Sequence, residues 1–215
     1  MSTSSSAAII LAAGSSTRMG GGRHKLLLPL HDRPVLAHVI DAALASQARP
    51  ILIVLGHRTD LVRAQLAPYT IRPDLMFVEN PDYLQGMSTS IHQGIETLQA
   101  KEPSPSSALI ILGDQPLITS EVIDTLINTW QQTGKRIVAP LYEGKRGSPV
   151  LFDVSLFPEL LQVTGDEGGR SVLERHREEV ELVEVGNAIA NYDVDTWEAY
   201  QQVVEAWEQR RKPLL

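Results

Sequence analysis

The stretch "AAIILAAGSSTRMGGGRHKLLLPL", residues 7–30, decides the fold. It opens on "AAIIL" (7–11), an apolar run without polar alternation, which is how a strand covered on both faces reads. The run gives way to a loop carrying Gly14, Gly20, Gly21 and Gly22, the hydroxyls of Ser15, Ser16 and Thr17, and the cations Arg18, Arg23 and Lys25. Glycines let successive backbone N–H groups converge on one anion, and hydroxyls and cations add donors and charge. A phosphate site at the carboxyl end of a first buried strand is the reading this order supports. The alternative is a flexible, solvated surface loop. The segment is not a P-loop, because no Gly-Lys-Ser/Thr follows at the required spacing, and G-x-G-x-x-G cannot be laid over Gly14 to Lys25.

Outward from this stretch, apolar runs recur at 50–55, 75–79, 108–112, 136–140, 148–152 and 180–185. Between the early ones lie helical patterns at 33–46, 59–67, 88–101 and 119–132. Val35, Leu36, Val39, Ile40, Ala43 and Leu44 keep the spacing of a half-buried helix. Repeated strand–helix units of this size predict an α/β fold, a mostly parallel sheet flanked by helices with right-handed crossovers. The shorter spacing after 136 predicts an antiparallel edge or a small lobe. "KEPSPSS" (101–107) reads as a surface loop, so residues 1–215 are expected to form one domain.

A net charge of −7 over 215 residues argues against a nucleic-acid binder, which needs a basic face. Yet residues 1–33 hold Arg18, Arg23, Lys25 and Arg33 against the single acid Asp32, so an anionic ligand belongs there. With no cysteine there is no disulfide or thiolate metal site, which fits a cytoplasmic protein. "AAIILAA" is too short for a signal or membrane segment, so no membrane association is expected.

"LAAGSSTRMG" (11–20) followed by "KLLLPL" (25–30) resembles the signature of the MobA-like nucleotidyltransferases, which include the molybdenum-cofactor cytidylyl- and guanylyltransferases. The resemblance implies a Rossmann-like three-layer α/β/α fold with a small antiparallel C-terminal portion. It also implies transfer of a nucleoside monophosphate to a phosphate or carboxylate acceptor. Leu11, Ala12, Ala13, Gly14, Ser16, Arg18 and Lys25 fall on the nucleotide-binding signature, with Arg18 and Lys25 as catalytic cations.

"GDQP" (113–116) sets Asp114 just beyond a buried run. A carboxylate there is costly to desolvate unless it is paired or holds a cation. Otherwise it is a turn aspartate capping the next helix, although Thr119 is better placed for that. In the resembled family this aspartate is a magnesium ligand with a catalytic part. In "NYDVDTWEAY" (191–200), Asp195 and Glu198 fit a helix N-cap with its N3 acid, a purely structural role, and Asp193 is not needed by that cap. The resemblance implies that Asp195 is the second metal ligand; Trp197 stands where the family usually has Pro, and Ala199 where it has an acid. Hard carboxylates suit Mg2+, and none of the six histidines has metal-ligand spacing. The histidines read as surface or loop residues, with His24 and His57 in loops that follow strands.

"ENPDYLQGMSTSIHQG" (79–94) matches a family segment lining the nucleotide pocket at Asn80, Gly86 and Ser90. Ser88 and Thr89 fall near a helix N-terminus, where anions are favoured; an ordinary glycine turn with a Ser/Thr cap is the alternative. "PLYEGKRGSPVLF" (140–152) resembles the acceptor side and contributes Gly147, Ser148 and Pro149, with Ser148 where many members carry His. "GDEGGRSVLERH" (165–176) offers Arg170 for an acceptor phosphate, or as a solvated arginine, and Asp166 as a turn residue or a functional one.

The implied activity is Mg2+-dependent transfer of CMP from CTP to the phosphate of molybdopterin or its molybdenum form, with release of pyrophosphate. The cytidine preference follows from Ala13 in "LAAG", which accompanies cytidylyltransferases. A molybdoenzyme that receives the product, and a monomer or small homo-oligomer, complete the expectation. Rival readings are transfer to a sugar phosphate or phospholactate, a redox enzyme (no flavin or nicotinamide fingerprint is visible), and a cofactor-loading protein without transferase activity.

Overall fold

Alternate residues of the first apolar run serve two different cores, which is why it carries no polar residue. In strand β1 (Ser6–Ala12), Ala8, Ile10 and Ala12 enter one buried cluster, and Ala7, Ile9 and Leu11 enter another. This computed structural model describes residues 5–16, 19, 23–186 and 188–211. The further strands are β2 (Pro29–Leu30), β3 (Arg33–Pro34), β4 (Ile51–Leu55), β5 (Leu75–Glu79), β6 (Ser107–Leu112), β7 (Ile137–Tyr142), β8 (Lys145–Arg146), β9 (Val150–Asp153) and β10 (Val180–Gly186). The helices are α1 (Val35–Ala45), α2 (Thr59–Gln65), α3 (Met87–Gln99), α4 (Ser120–Thr133), α5 (Phe157–Leu160), α6 (Arg170–Arg175) and α7 (Trp197–Arg211).

The main sheet runs β10-β7-β9-β6-β1-β4-β5, with β8 paired to β7. Strands β4 and β6 flank β1 in parallel, and β5 is parallel to β4. Leu36 and Ile40 of α1 and Leu126 and Ile127 of α4 fill one face, while Ile91 and Ile95 of α3 and Phe157 of α5 fill the other. Burying each such side chain contributes about 1.5–3 kcal/mol. A third cluster joins Val203 and Ala206 of α7 to Leu28, Leu30, Val35 and Val194, folding the C-terminal helix back over the segment that follows the first-strand loop.

The mostly parallel α/β fold is as the sequence implies, and its antiparallel strands β8 and β9 fall after residue 136 as expected, but they are not confined to an edge or a separate lobe. β9 lies inside the sheet, antiparallel to both β6 and β7, and the edge strand β10 runs parallel to β7. The apolar content of "VLF" fits that interior position: Leu151 is fully buried and Phe152 almost so. Among the described residues no helix is long and apolar enough to cross a membrane. Because β1, β4, β5 and β6 are parallel, the turns after Ala12, Leu55, Glu79 and Leu112 open at the same end of the sheet, where ligands bind in such folds.

Candidate active site

Three charged groups meet at that end. Ser16 takes a left-handed turn (φ 56°), and its hydroxyl accepts the backbone N–H of Lys25 at 3.1 Å. Lys25 opens a short 3-10 turn that buries Leu26, and the lysine side chain reaches the carboxyl end of the central strands. There Lys25 Nζ donates to Asp114 Oδ2 and, at 2.7 Å, to Asp195 Oδ1. Asp114 stands in the turn after β6, where the Gly113 N–H bonds Leu11 O at 3.0 Å, and Asp114 O accepts the Val194 N–H at 2.9 Å. That last bond brings the acidic segment 193–195 alongside Asp114.

Neither acid takes the helix N-cap position that the sequence offered it. The N-cap position of α4 is Thr119, not Asp114, although the Thr119 side chain makes no capping hydrogen bond. At α7, Thr196 Oγ1 accepts the Ala199 N–H at 3.2 Å, so Thr196 takes the N-cap place expected of Asp195 and leaves the Asp195 carboxylate for Lys25. Burial works against the Lys25 ammonium, but Asp114 and Asp195 outweigh it and hold the lysine above its ordinary pKa. Loss of water pushes the Asp193 carboxyl up; the Gln115 hydrogen bond opposes this, and the charges of Asp114 and Asp195 add to it.

A cavity of about 290 Å³ opens above this cluster, lined by Leu11, Ala12, Ala13, Gly14, Lys25, Gly86, Ser90 and Asp114 together with Ser15, Tyr83 and Asp166. Most residues expected to hold a nucleotide therefore share one wall-to-wall space. Ser16 acts one step back, through Lys25. Asn80 is buried at 3% exposure; its amide donates to Thr89 Oγ1 (2.8 Å) and Ser90 Oγ (3.0 Å), and its Oδ1 accepts the Asp82 N–H. It thus ties the loop after β5 to α3. Arg18 and Thr17 lie outside the described residues.

The start of α3 differs from the expectation. Met87 N–H donates to Asp166 Oδ1 at 3.0 Å and Ser88 N–H to Gly165 O at 3.0 Å, so the chain's own carboxylate already fills the place where an anion was expected. Gly86 makes this possible: its φ is +112°, and a Cβ there would fall 2.5 Å from the Gly165 carbonyl carbon.

A second cavity of about 580 Å³ adjoins the first, the two sharing Met87, Leu112 and Asp166. Gly147, Ser148 and Arg170 line it over an apolar floor that includes Phe152, while Pro149 is not part of the lining. Arg170 is mostly exposed and pairs with Glu174 at 3.1 Å. Ser148 N–H donates to Asn191 Oδ1 at 3.0 Å, and a Cβ on Gly147 would strike that oxygen at 2.3 Å. Gln115, buried at 3% exposure, donates to Asp193 Oδ1 and links the two regions. Gln115 and Asn191 had no signal of their own beyond adjacency to Asp114 and to the 193–195 acids. Two histidines also differ from the surface reading: His24 and His38 are buried, and His24 stacks on His57 with centroids 5.8 Å apart.

Two carboxylates drawn onto one cation, with no soft ligand beside them, form a donor set that suits a hard divalent ion completed by substrate phosphates. Among the described residues no group of three or more His, Asp or Glu forms a closed metal cage. Asp114 and Asp195 are thus of the donor type that suits a hard divalent cation.

An open α/β sheet with a lysine and backbone amides after its first strand, and two acids gathered on that lysine, has the layout of a phosphoryl-group transferase that handles nucleotides. The MobA-like NTP transferase domain matches residues 8–180, and the chain belongs to that family of nucleotidyltransferases. It is 28% identical to the molybdenum cofactor cytidylyltransferase of Escherichia coli (strain K12) over 175 residues, 81% of this chain and 84% of that protein. It is 33% identical to the bifunctional protein GlmU of Burkholderia orbicola (strain AU 1054) over 104 residues, 48% of this chain. The match spans only 21% of the length of that curated relative. Rv0371c of Mycobacterium tuberculosis H37Rv has a TM-score of 0.79 to this chain at 27% identity, covering 95% of this chain and 100% of that one. Its structure as a complex with manganese gives a TM-score of 0.76 at 26% identity, covering 94% and 99%.

Proposed function

We propose that the protein moves CMP from CTP to the terminal phosphate of a molybdopterin-type acceptor and releases pyrophosphate. The observation that carries this reading is the bridge from Lys25 Nζ to Asp114 and Asp195, with Lys25 and Asp114 lining the cavity over the first-strand loop, beside a second cavity that shares its wall. The backbone of Ala13 to Ser15 and the Lys25 ammonium hold the triphosphate, and Arg18 of the same signature adds charge. A magnesium ion on Asp114 and Asp195 would neutralise phosphate charge and so ease departure of pyrophosphate. An oxygen of the acceptor phosphate forms a bond to the α-phosphorus as the α–β anhydride bond breaks, and pyrophosphate carries off the electron pair. A phosphate oxygen is already ionised at neutral pH, so the site needs no strong base; orientation and charge neutralisation do the work.

The acceptor lies in the larger cavity, its flat apolar portion over Phe152 and its polar edge toward Gln115, Ser148 and Asn191. The choice of cytidine and of molybdopterin is supported by Ala13 in "LAAG" and by the relative matched over most of both chains. The test is pyrophosphate release with each of the four nucleoside triphosphates, with and without Mg2+, and with molybdopterin, a sugar phosphate, phospholactate or no acceptor. Release that depends on CTP, metal and molybdopterin together is expected. Turnover only with a sugar phosphate or phospholactate would move the acceptor assignment, and no release with any triphosphate would remove the reading.

A further inference from the structure

Among the described residues, Arg23 pairs with no carboxylate; its guanidinium carbon lies instead 4.9 Å from the centroid of the Trp197 ring. The placement repeats that of its neighbour. Lys25, two residues on, holds Asp195, two residues before Trp197, at 2.7 Å. The pairs 23–197 and 25–195 are thus offset by two residues along both segments, and neither Arg23 nor Trp197 belongs to the lining of the cavity that Lys25 enters. The ring is a fixed platform: Trp197 leans on Tyr200 with centroids 5.1 Å apart, and the Tyr200 hydroxyl is bonded to Pro29 O. Trp197 is still 39% exposed, so a stacked guanidinium keeps contact with water.

The kind of partner matters. A carboxylate would bind the N–H donors of Arg23 directionally and compete with phosphate on equal terms. A ring face attracts the charge but uses none of the five N–H donors, and the attraction is weaker than a charge-assisted bond to phosphate. We infer that Arg23 is a further phosphate-binding residue of the nucleotide site, held outside the cavity lining by Trp197 and exchanging that ring for the outer phosphates of a triphosphate. The inference rests on the nucleotidyl-transfer reading and makes Arg23 selective for nucleotide charge: a monophosphate does not reach it.

Calorimetric titration of the full-length chain with CTP and with CMP, in Mg2+, tests this. Arg23→Ala is expected to bind CTP about tenfold more weakly and CMP within about twofold of the parent, as fits one lost charge-assisted contact. Trp197→Leu, which keeps apolar bulk but removes the ring that competes for Arg23, is expected to bind CTP about threefold more tightly. Trp197→Phe, which keeps a π face, stays within about twofold. Equal losses for CTP and CMP in Arg23→Ala, or no loss, overturn the inference. So does weaker CTP binding in Trp197→Leu, which would make the ring a scaffold only. If the parent protein binds no nucleoside triphosphate at all, it is the nucleotidyl-transfer reading that falls, and the Arg23 assignment with it.

Discussion

The two ends of the central strands are built on different chemistry. At the amino end, Ser6 and Ser107 share a buried hydroxyl hydrogen bond of 2.7 Å across β1 and β6. The Arg49 guanidinium closes the last turn of α1 by donating to the carbonyls of Leu44 (2.8 Å), Ser46 (3.1 Å) and Ala48 (2.6 Å), and its Nε pairs with Asp74 at 2.9 Å. A cation at a helix C-terminus also meets the favourable end of the dipole. The partners there are mostly backbone groups, which nothing else will claim. At the carboxyl end, Lys25, Asp114 and Asp195 satisfy one another, and the proposed reaction requires each to let go in part. One end of the sheet is organised for permanence and the other for exchange.

That contrast predicts a separation of stability from turnover. Asp114→Asn is expected to lower kcat by about 100-fold or more while the thermal unfolding midpoint stays near the parent value; steady-state pyrophosphate assays beside calorimetry check it, and near-normal turnover would break the contrast at its centre. Lys25→Met is expected to weaken CTP binding about tenfold, since a charge-assisted phosphate contact is lost, and unchanged affinity would take Lys25 out of the phosphate site. Arg49→Ala reverses the pattern: about 2 kcal/mol of stability is lost with the carbonyl contacts, and kcat/KM of the remaining folded protein is unchanged in urea-melt and rate measurements.

The smallest expected effect is on pH. Glu179 bonds His176 Nδ1 at 2.8 Å and raises its pKa, burial opposes, and Glu159 at 2.8 Å from Nε2 raises it further. A raised histidine pKa stabilises the fold below the unfolded value of about 6.5, and that contribution disappears as pH climbs through the folded value. His176→Gln should therefore lower the melting temperature slightly at pH 5.5 and not at pH 8.5. An equal drop at both would mean packing, not charge, is what His176 supplies. His24 and His38 act with the opposite sign, because burial lowers both, so they cost stability as pH falls below about 6.5.

What could be read in the sequence follows the same division. The strands of the parallel half were legible because burial on both faces leaves an unbroken apolar run: 108–112 was expected, and Ser107–Leu112 forms. The internal position of β9 was not, because a four-residue strand between turns carries no mark of its neighbours. In the candidate site, Lys25, Asp114 and Asp195 stood out as charges next to apolar runs, and the structure brings them together. Asp195 nonetheless read equally well as a helix cap, since only coordinates show that the Thr196 hydroxyl takes that place. Gln115 and Asn191 were hidden, and Asp166 read equally well as a turn residue, for a plainer reason. Their roles lie in bonds to groups far along the chain, such as Ser148 with Asn191 and Met87 with Asp166, and no local spacing encodes those.

The bond from Lys25 to Asp195 spans 170 positions of the chain. Chain synthesis must therefore pass the 193–195 segment before the two acids can meet on Lys25. A chain cut short ahead of that segment keeps Lys25 and Asp114 but lacks the second carboxylate partner of the lysine.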